Sequence, residues 1–201
     1  MGGGHVALAG LIGAGKTTFA SALAVVAHTA VFYEPVSGNP FLADFYADMP
    51  RWAFSMQMYL LDARAAQAAQ AAAQGGVQDR TLHEDAIFAE MLTDDGAMTR
   101  AELALYRAYV ARLRDAAPAP DLVVFLDASP AACLARIHAR GRVCERGIPL
   151  AYLEKLHARY HAFIRELART VPVAVVAWDE PRITPALLQR VLDARAAAAA
   201  L

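Results

Sequence analysis

Residues 10–17 have the sequence GLIGAGKT, which matches the phosphate-binding pattern G-x-x-x-x-G-K-[ST]. Glycines at this spacing let backbone N–H groups turn inward around phosphate oxygens, and a following helix adds the positive end of its dipole. Lys16 would bridge the β and γ phosphates of a nucleoside triphosphate, and the Thr17 hydroxyl would bind Mg²⁺. The chain has 19 Lys and Arg residues, of which only Lys16 and Lys155 are lysine. A lysine in this turn therefore favours nucleotide binding over a plain glycine turn.

Carboxylates follow three other segments that predict strands. Because ligands bind beyond the carboxyl ends of parallel strands, Glu34, Asp79 and Asp127 are expected near the phosphate loop. With Arg80, they supply what phosphoryl transfer requires: metal ligands, a positive clamp and a group that orients the attacking hydroxyl. Asp79 and Asp127 are both candidate metal ligands. We favour Asp79 because Arg80 follows it, whereas Asp127 could instead belong to the N-cap region of a helix that begins at Pro130.

The elements that position these residues alternate between strands and helices. Four apolar segments predict strands at 5–9, 31–33, 122–126 and 171–177, and Val77-Gln78 is predicted as a minimal fifth strand. Helical composition covers residues 17–27, 51–74, 82–92, 99–116, 130–140, 149–169 and 185 onward, and residues 34–40 are predicted to form a loop. Thr99 and Glu102 are spaced as a capping box. The pattern predicts an α/β fold with a five-stranded parallel sheet flanked by helices.

Length and composition limit the class of protein. The 201 residues are expected to form a single domain, 1–201. No stretch has the roughly 18 consecutive apolar residues of a membrane span, and the N-terminus lacks the features of a secretory signal, so we predict a cytoplasmic protein without a membrane partner. The net charge of −1 argues against nucleic-acid binding and favours a small-molecule partner. Cys133 and Cys144 have no metal or disulfide spacing and are predicted to be reduced.

Further motifs occur in an order and spacing that resemble the deoxynucleoside kinase family. After the phosphate loop and Thr18 these are Glu34-Pro35-Val36, Asn39-Pro40, Phe45-Tyr46, Arg51-Trp52-Ala53-Phe54, Gln57, Arg64, Asp79-Arg80-Thr81, Asp85, Ile87-Phe88-Ala89, Arg140-Gly141-Arg142, Gly147-Ile148-Pro149-Leu150 and Tyr152-Leu153-Glu154-Lys155-Leu156-His157. The resemblance covers roughly residues 5–165. It is strongest to the bacterial deoxyadenosine/deoxyguanosine kinase branch, and the segment 147–157 is also similar to animal deoxycytidine kinase.

The resemblance implies a P-loop kinase fold with an arginine-rich lid at about residues 136–148. It implies transfer of the γ-phosphoryl group of ATP, or of another nucleoside triphosphate, to the 5′-hydroxyl of a deoxynucleoside in nucleotide salvage. Deoxyadenosine and deoxyguanosine are the favoured substrates, and deoxycytidine is a further candidate. Mg²⁺ is the implied cofactor, and a homodimer is the implied assembly, for which the alanine-rich helix at 63–73 offers a close-packing surface.

On the acceptor side, the resemblance assigns Glu34 to the nucleoside 5′-hydroxyl, with Arg80 beside it near the phosphates. Gln57 would bind the base, and Arg64 and Asp85 would form an adjoining pair. The helical spacing agrees, because Gln57 and Arg64 share one face of the predicted helix and Phe54, three residues before Gln57, could stack on a base.

The resemblance also assigns Tyr46 and Glu145 to the 3′-hydroxyl. The predicted lid arginines are Arg136, Arg140 and Arg142, and Asp179 would lie near the base of the donor. In the loop and the first helical turn, the residues predicted to bind the nucleotide are Gly10, Gly13, Ala14, Gly15, Lys16, Thr17 and Thr18. Cys144 departs from the animal enzymes, in which this position is often acidic.

Two other functions are compatible with parts of the pattern. A nucleoside monophosphate kinase of thymidylate-kinase type shares the phosphate loop and the Glu-Pro and Asp-Arg pairs, but needs further cations for its charged acceptor. Arg51 is the one obvious candidate between Tyr33 and Gln57. A P-loop ATPase or nucleotide-binding regulator would hydrolyse ATP without any nucleoside, and would leave Gln57 and Arg64 without a role.

Overall fold

A five-stranded sheet organises the protein, for which a computed structural model describes residues 4–34, 38–142 and 145–199. The strands are β1 (His5–Ala9), β2 (Val31–Phe32), β3 (Gly76–Asp79), β4 (Leu122–Asp127) and β5 (Val173–Ala177). Their order is β2-β3-β1-β4-β5, and every neighbouring pair is parallel. The predicted α/β fold with a five-stranded parallel sheet is therefore confirmed.

Eight α-helices are assigned within the described ranges. They are α1 (Lys16–Ala27), α2 (Leu42–Ala47), α3 (Met49–Gln74), α4 (Asp85–Asp94), α5 (Arg100–Ala116), α6 (Pro130–Arg140), α7 (Leu150–Leu167) and α8 (Pro185–Ala198). The predicted capping box at the start of α5 is present, because Thr99 and Glu102 each accept a hydrogen bond from the other's backbone N–H. Within the same ranges, no helix has both the length and the apolar character needed to cross a membrane.

The structure differs from the sequence expectation in one additional helix, one divided helix and shifts of one or two residues at the ends of several elements. The helix α2 was not predicted; it has six residues and none of them is buried, so it lacks the amphipathic pattern from which helices are recognised. The predicted helix 82–92 is divided into a 3₁₀ turn at Leu82–Glu84 and α4, with the Thr81 hydroxyl capping the turn. The last strand begins at Val173 rather than Val171.

Two apolar clusters hold the sheet and the helices together. The first centres on β1 and β4, which are almost completely buried between helices, and includes Phe125 stacked on Tyr160 with ring centroids 6.0 Å apart. The second joins α3, α4 and α5 around Leu61 and Tyr106. Because α3 packs both on β3 and against this second cluster, its polar residues Gln57 and Arg64 are carried into the interior.

Candidate functional site

The phosphate loop, residues 10–17, connects β1 to α1, and its backbone carbonyls accept hydrogen bonds from Lys16. Gly13 and Gly15 have φ values of +81° and +92°, in the left-handed region that favours glycine. A Cβ atom at Gly13 would lie 2.6 Å from the carbonyl oxygen of Cys133, so a larger residue would displace α6. Lys16 Nζ donates to the carbonyl oxygens of Gly10 and Leu11, both at 2.9 Å. Burial, with a contribution from nearby Arg80, lowers the pKa of Lys16 to about 8.

Thr17 and Asp79 come together beside this loop. The β1–β3 register places Leu8 opposite Asp79, which brings the end of β3 next to the loop, and Thr17 Oγ1 donates to Asp79 Oδ2 at 2.6 Å. Asp79 Oδ1 is buried and accepts no hydrogen bond from any described residue. A hydroxyl and a carboxylate with a spare oxygen fit Mg²⁺, which prefers oxygen ligands. The competing candidate Asp127 accepts hydrogen bonds from histidines instead, and Ser129 caps α6.

Glu34 lies between two arginines at the end of β2. Its Oε1 is 2.5 Å from Arg64 Nη2 and 3.0 Å from Arg80 Nε, and 22% of its side chain is exposed. Burial by itself would raise the pKa of Glu34, but Arg80, Arg64 and Lys16 together lower it to about 2. The carboxylate is therefore ionised at all physiological pH values.

Arg80 is fixed from several sides, in a backbone conformation that few non-glycine residues adopt. Its φ is +87°, which costs about 1–3 kcal/mol and persists where the surroundings determine it. Arg80 Nη1 donates to Glu84 Oε1 at 2.7 Å and to the Tyr160 hydroxyl at 2.8 Å, and the guanidinium lies over the Phe88 ring. Burial raises the pKa of Glu84 to about 7, against the effect of Arg80.

A second arginine extends the network to the start of α4. Arg64 is ion-paired with Asp85 as well as Glu34, and both members of the Arg64–Asp85 pair are buried. Burial raises the pKa of Asp85 to about 6, although Arg64 lowers it. Gln57 is 5% exposed, and neither its Oε1 nor Asp85 Oδ2 meets a donor among the described residues. Phe54, partly buried, packs against the second apolar cluster.

Arg136 connects the phosphate loop to the segment after β5. Its Nη2 donates to the carbonyl oxygens of Trp178 and Asp179, both at 2.7 Å, and its Nη1 donates to that of Ala14 at 3.3 Å. The Asp179 carboxylate accepts a hydrogen bond from the Ser129 backbone at 2.6 Å, which lowers the pKa of Asp179. Arg136 therefore contacts the phosphate loop directly, whereas Asp179 contacts Arg136 and Ser129.

The other two arginines predicted for the lid form a separate cluster with Glu145. Arg140 Nη2 and Arg142 Nη1 are 2.6 and 3.4 Å from the carboxylate of Glu145, which is itself buried. Glu145, which is predicted to hold the 3′-hydroxyl, is therefore paired with Arg140 and Arg142, which are predicted to cover the phosphate. Tyr46 on α2 is 40% exposed, with its ring 5.2 Å from that of Phe45. Of the other quoted positions, Thr18 is exposed on α1, and Pro35, Val36 and Cys144 lie outside the described residues.

Two groups of the site were missed from the sequence. Glu84 and Tyr160 hold Arg80, and Tyr160 also donates to Glu84 at 2.9 Å. Glu84 lies four positions after Arg80, but the two residues share no helix, so this spacing does not by itself indicate a pair. Tyr160 lies 80 positions from Arg80, and nothing in the local pattern marks it as its partner.

The fold and the site together define a P-loop phosphotransferase. The phosphate loop lies at one end of the charged network, and the acceptor atoms Gln57 Oε1 and Asp85 Oδ2, which have no donor among the described residues, lie at the other. Comparison with known families makes the assignment specific, because the deoxynucleoside kinase family matches residues 6–187. The chain belongs to this family.

Similar proteins agree with this assignment. The chain is 42% identical to a deoxyadenosine kinase of Dictyostelium discoideum over 180 residues, which covers 89% of this chain and 74% of the relative. It is 34% identical to a deoxyadenosine/deoxycytidine kinase of Bacillus subtilis, and the match covers 79% of this chain and 76% of the relative. Among solved structures, deoxyadenosine kinase from M. mycoides with bound dCTP superimposes with a TM-score of 0.82 at 27% identity, covering 96% of this chain and 98% of that one. The chain is thus an enzyme of the deoxynucleoside kinase type.

Proposed function

We propose that this enzyme transfers the γ-phosphoryl group of ATP to the 5′-hydroxyl of a deoxynucleoside in nucleotide salvage. Deoxyadenosine and deoxyguanosine are the proposed substrates, with deoxycytidine as a further candidate. One observation carries the proposal: ion pairs connect Arg80, which follows Asp79 beside the phosphate loop, through Glu34 and Arg64 to Asp85. An acceptor lying along this path would have its hydroxyl at Glu34 and its base near Gln57.

Glu34 would act mainly by orienting the attacking hydroxyl. With a pKa of about 2, the carboxylate is a strong hydrogen-bond acceptor but a weak base. The transition state of phosphoryl transfer is loose, so little proton removal is needed before the bond to phosphorus forms. Glu34 would hold the O–H of the nucleoside in line with the γ phosphate and receive its proton late, while Arg80 balances the charge.

The donor side would be held by the loop, its lysine and the lid. Bound Mg²⁺ would neutralise charge on the β and γ phosphates, and Thr17 and Asp79 are the residues that would hold it. Lys16 would exchange its hydrogen bonds to the loop carbonyls for phosphate oxygens. Arg136 already contacts the loop at the Ala14 carbonyl and would exchange that backbone partner for a phosphate oxygen.

Closure of the lid would be coupled to binding of the sugar. Arg140 and Arg142 are paired with Glu145, so they can reach the transferred phosphate only by leaving that carboxylate. Glu145 would then accept a hydrogen bond from the 3′-hydroxyl, together with Tyr46. The 3′-hydroxyl of a bound deoxynucleoside would therefore replace Arg140 and Arg142 as the partner of Glu145.

The unpaired acceptors at the far end favour bases that carry an amino group. Gln57 Oε1 and Asp85 Oδ2 are both buried acceptors, and a buried acceptor without a donor costs about 1–3 kcal/mol. Adenine, guanine and cytosine each present an exocyclic NH₂ group that could donate to one of them. Thymine has no such group, and we expect thymidine to be the poorest of the four acceptors.

The same contacts disfavour a nucleoside monophosphate as acceptor. Arg64 and Arg80 are already neutralised by carboxylates, and Arg51 lies exposed with its guanidinium 5.2 Å from the centre of the Trp52 ring. A phosphate added to the acceptor would approach Glu34 and be repelled. A neutral 5′-hydroxyl suits this pocket better.

We also propose that the enzyme forms a homodimer through α3 and α5, which pack against each other. Leu105 and Tyr109 lie one turn apart on α5 and are 49% and 41% exposed. The alanine-rich part of α3, residues 63–73, would allow a second copy to approach closely. Light scattering after size-exclusion chromatography should give twice the chain mass of 21.5 kDa; replacing both Leu105 and Tyr109 by serine should return it to that of the monomer.

The test of the proposed activity is a radiolabelled phosphate-transfer assay with ATP and Mg²⁺. The acceptors are the four deoxynucleosides, the four ribonucleosides and the four deoxynucleoside monophosphates. We expect the highest kcat/KM with deoxyadenosine or deoxyguanosine, and little transfer to the monophosphates. Faster transfer to a monophosphate, or ATP hydrolysis at a rate independent of any nucleoside, would contradict the proposal.

A further inference from the structure

Three side chains outside the phosphoryl-transfer network converge at the end of β4. Asp127 is the last residue of that strand, and His157 and His161 lie one turn apart on the same face of α7. The Nε2 atoms of both histidines are 3.1 Å from Asp127 Oδ1, and they are 3.0 Å from each other. Two nitrogens and one oxygen thus form a nearly equilateral triangle.

With Asp127 as a carboxylate, no placement of protons on the two histidines makes all three contacts favourable. If both histidines donate from Nε2 to the Asp127 carboxylate, their two N–H groups face each other across 3.0 Å. If one histidine donates to the other instead, the accepting nitrogen directs its lone pair at the carboxylate oxygen 3.1 Å away. Either choice leaves one of the three contacts repulsive. A cation shared by the three atoms makes all of them favourable.

The triangle also has the dimensions of a metal site. A point about 2.1 Å from each ligand atom, the usual bond length from Zn²⁺ to histidine nitrogen or carboxylate oxygen, lies about 1.1 Å outside the triangle. The ligand–metal–ligand angles there are about 95°, between the angles of octahedral and tetrahedral coordination. Two histidines at i and i+4 of one helix are a recurring zinc-binding pair.

We propose that Asp127, His157 and His161 bind one transition-metal cation of the Zn²⁺ class. The three side chains are 27–39% exposed, so water or a ligand oxygen can complete the coordination. Two imidazoles and one carboxylate suit Zn²⁺, Co²⁺ or Ni²⁺ better than Mg²⁺, which prefers oxygen alone. The site is separate from the pair Thr17 and Asp79, because β4 and β3 lie on opposite sides of β1, about 10 Å apart.

Occupation of this site would join α7 to the sheet. His157 and His161 flank Tyr160, whose hydroxyl contacts Arg80. A metal bound at Asp127 would therefore restrain the turn of α7 that supplies Tyr160, and we expect it to raise the thermal stability of the protein. The site does not depend on the identity of the phosphate acceptor.

The test is calorimetric titration of the chelator-treated full-length protein with Zn²⁺ alone, without nucleotide. We expect one Zn²⁺ per chain, a rise in Tm on saturation, and visible d–d absorption after Co²⁺ is bound in its place. His157→Gln and His161→Gln should each weaken Zn²⁺ binding at least about tenfold. His161→Gln should keep its kinase activity with Mg²⁺. Retained activity would show that this variant is folded.

Two variants serve as controls. His138→Gln changes an exposed histidine on α6 and should bind Zn²⁺ as the unmodified protein does. Cys144→Ser removes the thiol nearest to the lid arginines in sequence and should also leave binding unchanged. The proposal is overturned if the unmodified protein binds no Zn²⁺, if binding persists undiminished in both His157→Gln and His161→Gln, or if Cys144→Ser abolishes it.

Discussion

Replacing Glu34 by glutamine keeps the shape of the side chain and removes its charge. The proposed role of Glu34 is to orient the 5′-hydroxyl, and a positioned group of this kind contributes about 10²- to 10⁴-fold to the rate. We therefore expect Glu34→Gln to lower kcat by that factor in the phosphate-transfer assay. The KM for the deoxynucleoside should change much less, because Gln57 and Asp85 at the base end keep their positions.

The same substitution has a stability effect that can be calculated from the structure. Arg80, Arg64 and Lys16 lower the pKa of Glu34 from 4.5 to about 2, which corresponds to about 3 kcal/mol of folding stability at pH 7. A lowered carboxylate pKa stabilises the protein above pH 4.5, and this contribution is lost as the pH falls toward 2. At pH 3.5 about 2 kcal/mol remains. The 22% exposure of the side chain makes both values upper limits.

Urea denaturation at pH 7 and pH 3.5 measures this difference. The gap in unfolding free energy between the unmodified protein and Glu34→Gln should be larger at pH 7. Glu166→Gln is the matched control, because that carboxylate is 72% exposed and its neighbour Arg169 is equally exposed. An unchanged kcat would refute the catalytic role, and a gap that does not narrow at pH 3.5 would refute the electrostatic reasoning.

Three further substitutions test separate parts of the structure. Gly13→Ala should lower Tm by several degrees in a thermal melt and weaken ATP binding. The reason is that the alanine Cβ would lie 2.6 Å from the Cys133 carbonyl oxygen. An unchanged Tm would contradict this prediction. Thr99→Ala removes the capping box of α5 and should lower the free energy of unfolding by about 1 kcal/mol without changing kcat, whereas a loss of activity would be unexpected. Asp79→Asn should raise the Mg²⁺ concentration for half-maximal activity about tenfold or more, and an identical Mg²⁺ titration would exclude Asp79 as a ligand.

The sequence predicted most of the elements that carry the site. The glycine spacing of residues 10–17 requires a strand before it and a helix after it, and the structure has β1 and α1 there. The start of α5 was predictable because a capping box involves residues only three positions apart. Helix α2 was not predictable in this way, since it is short and has no buried face.

The sequence alone determined which chemical groups reach the carboxyl edge of the sheet, because a residue that follows a parallel strand must emerge there. It also determined that Gln57 and Arg64 share a face of α3, since helical periodicity is local. The tertiary structure decided which groups meet. Asp79 contacts Thr17 while Asp127 contacts two histidines, although each aspartate is the last residue of a strand. That choice depends on strand order and on the packing of α7, which bring distant residues together without leaving any local pattern.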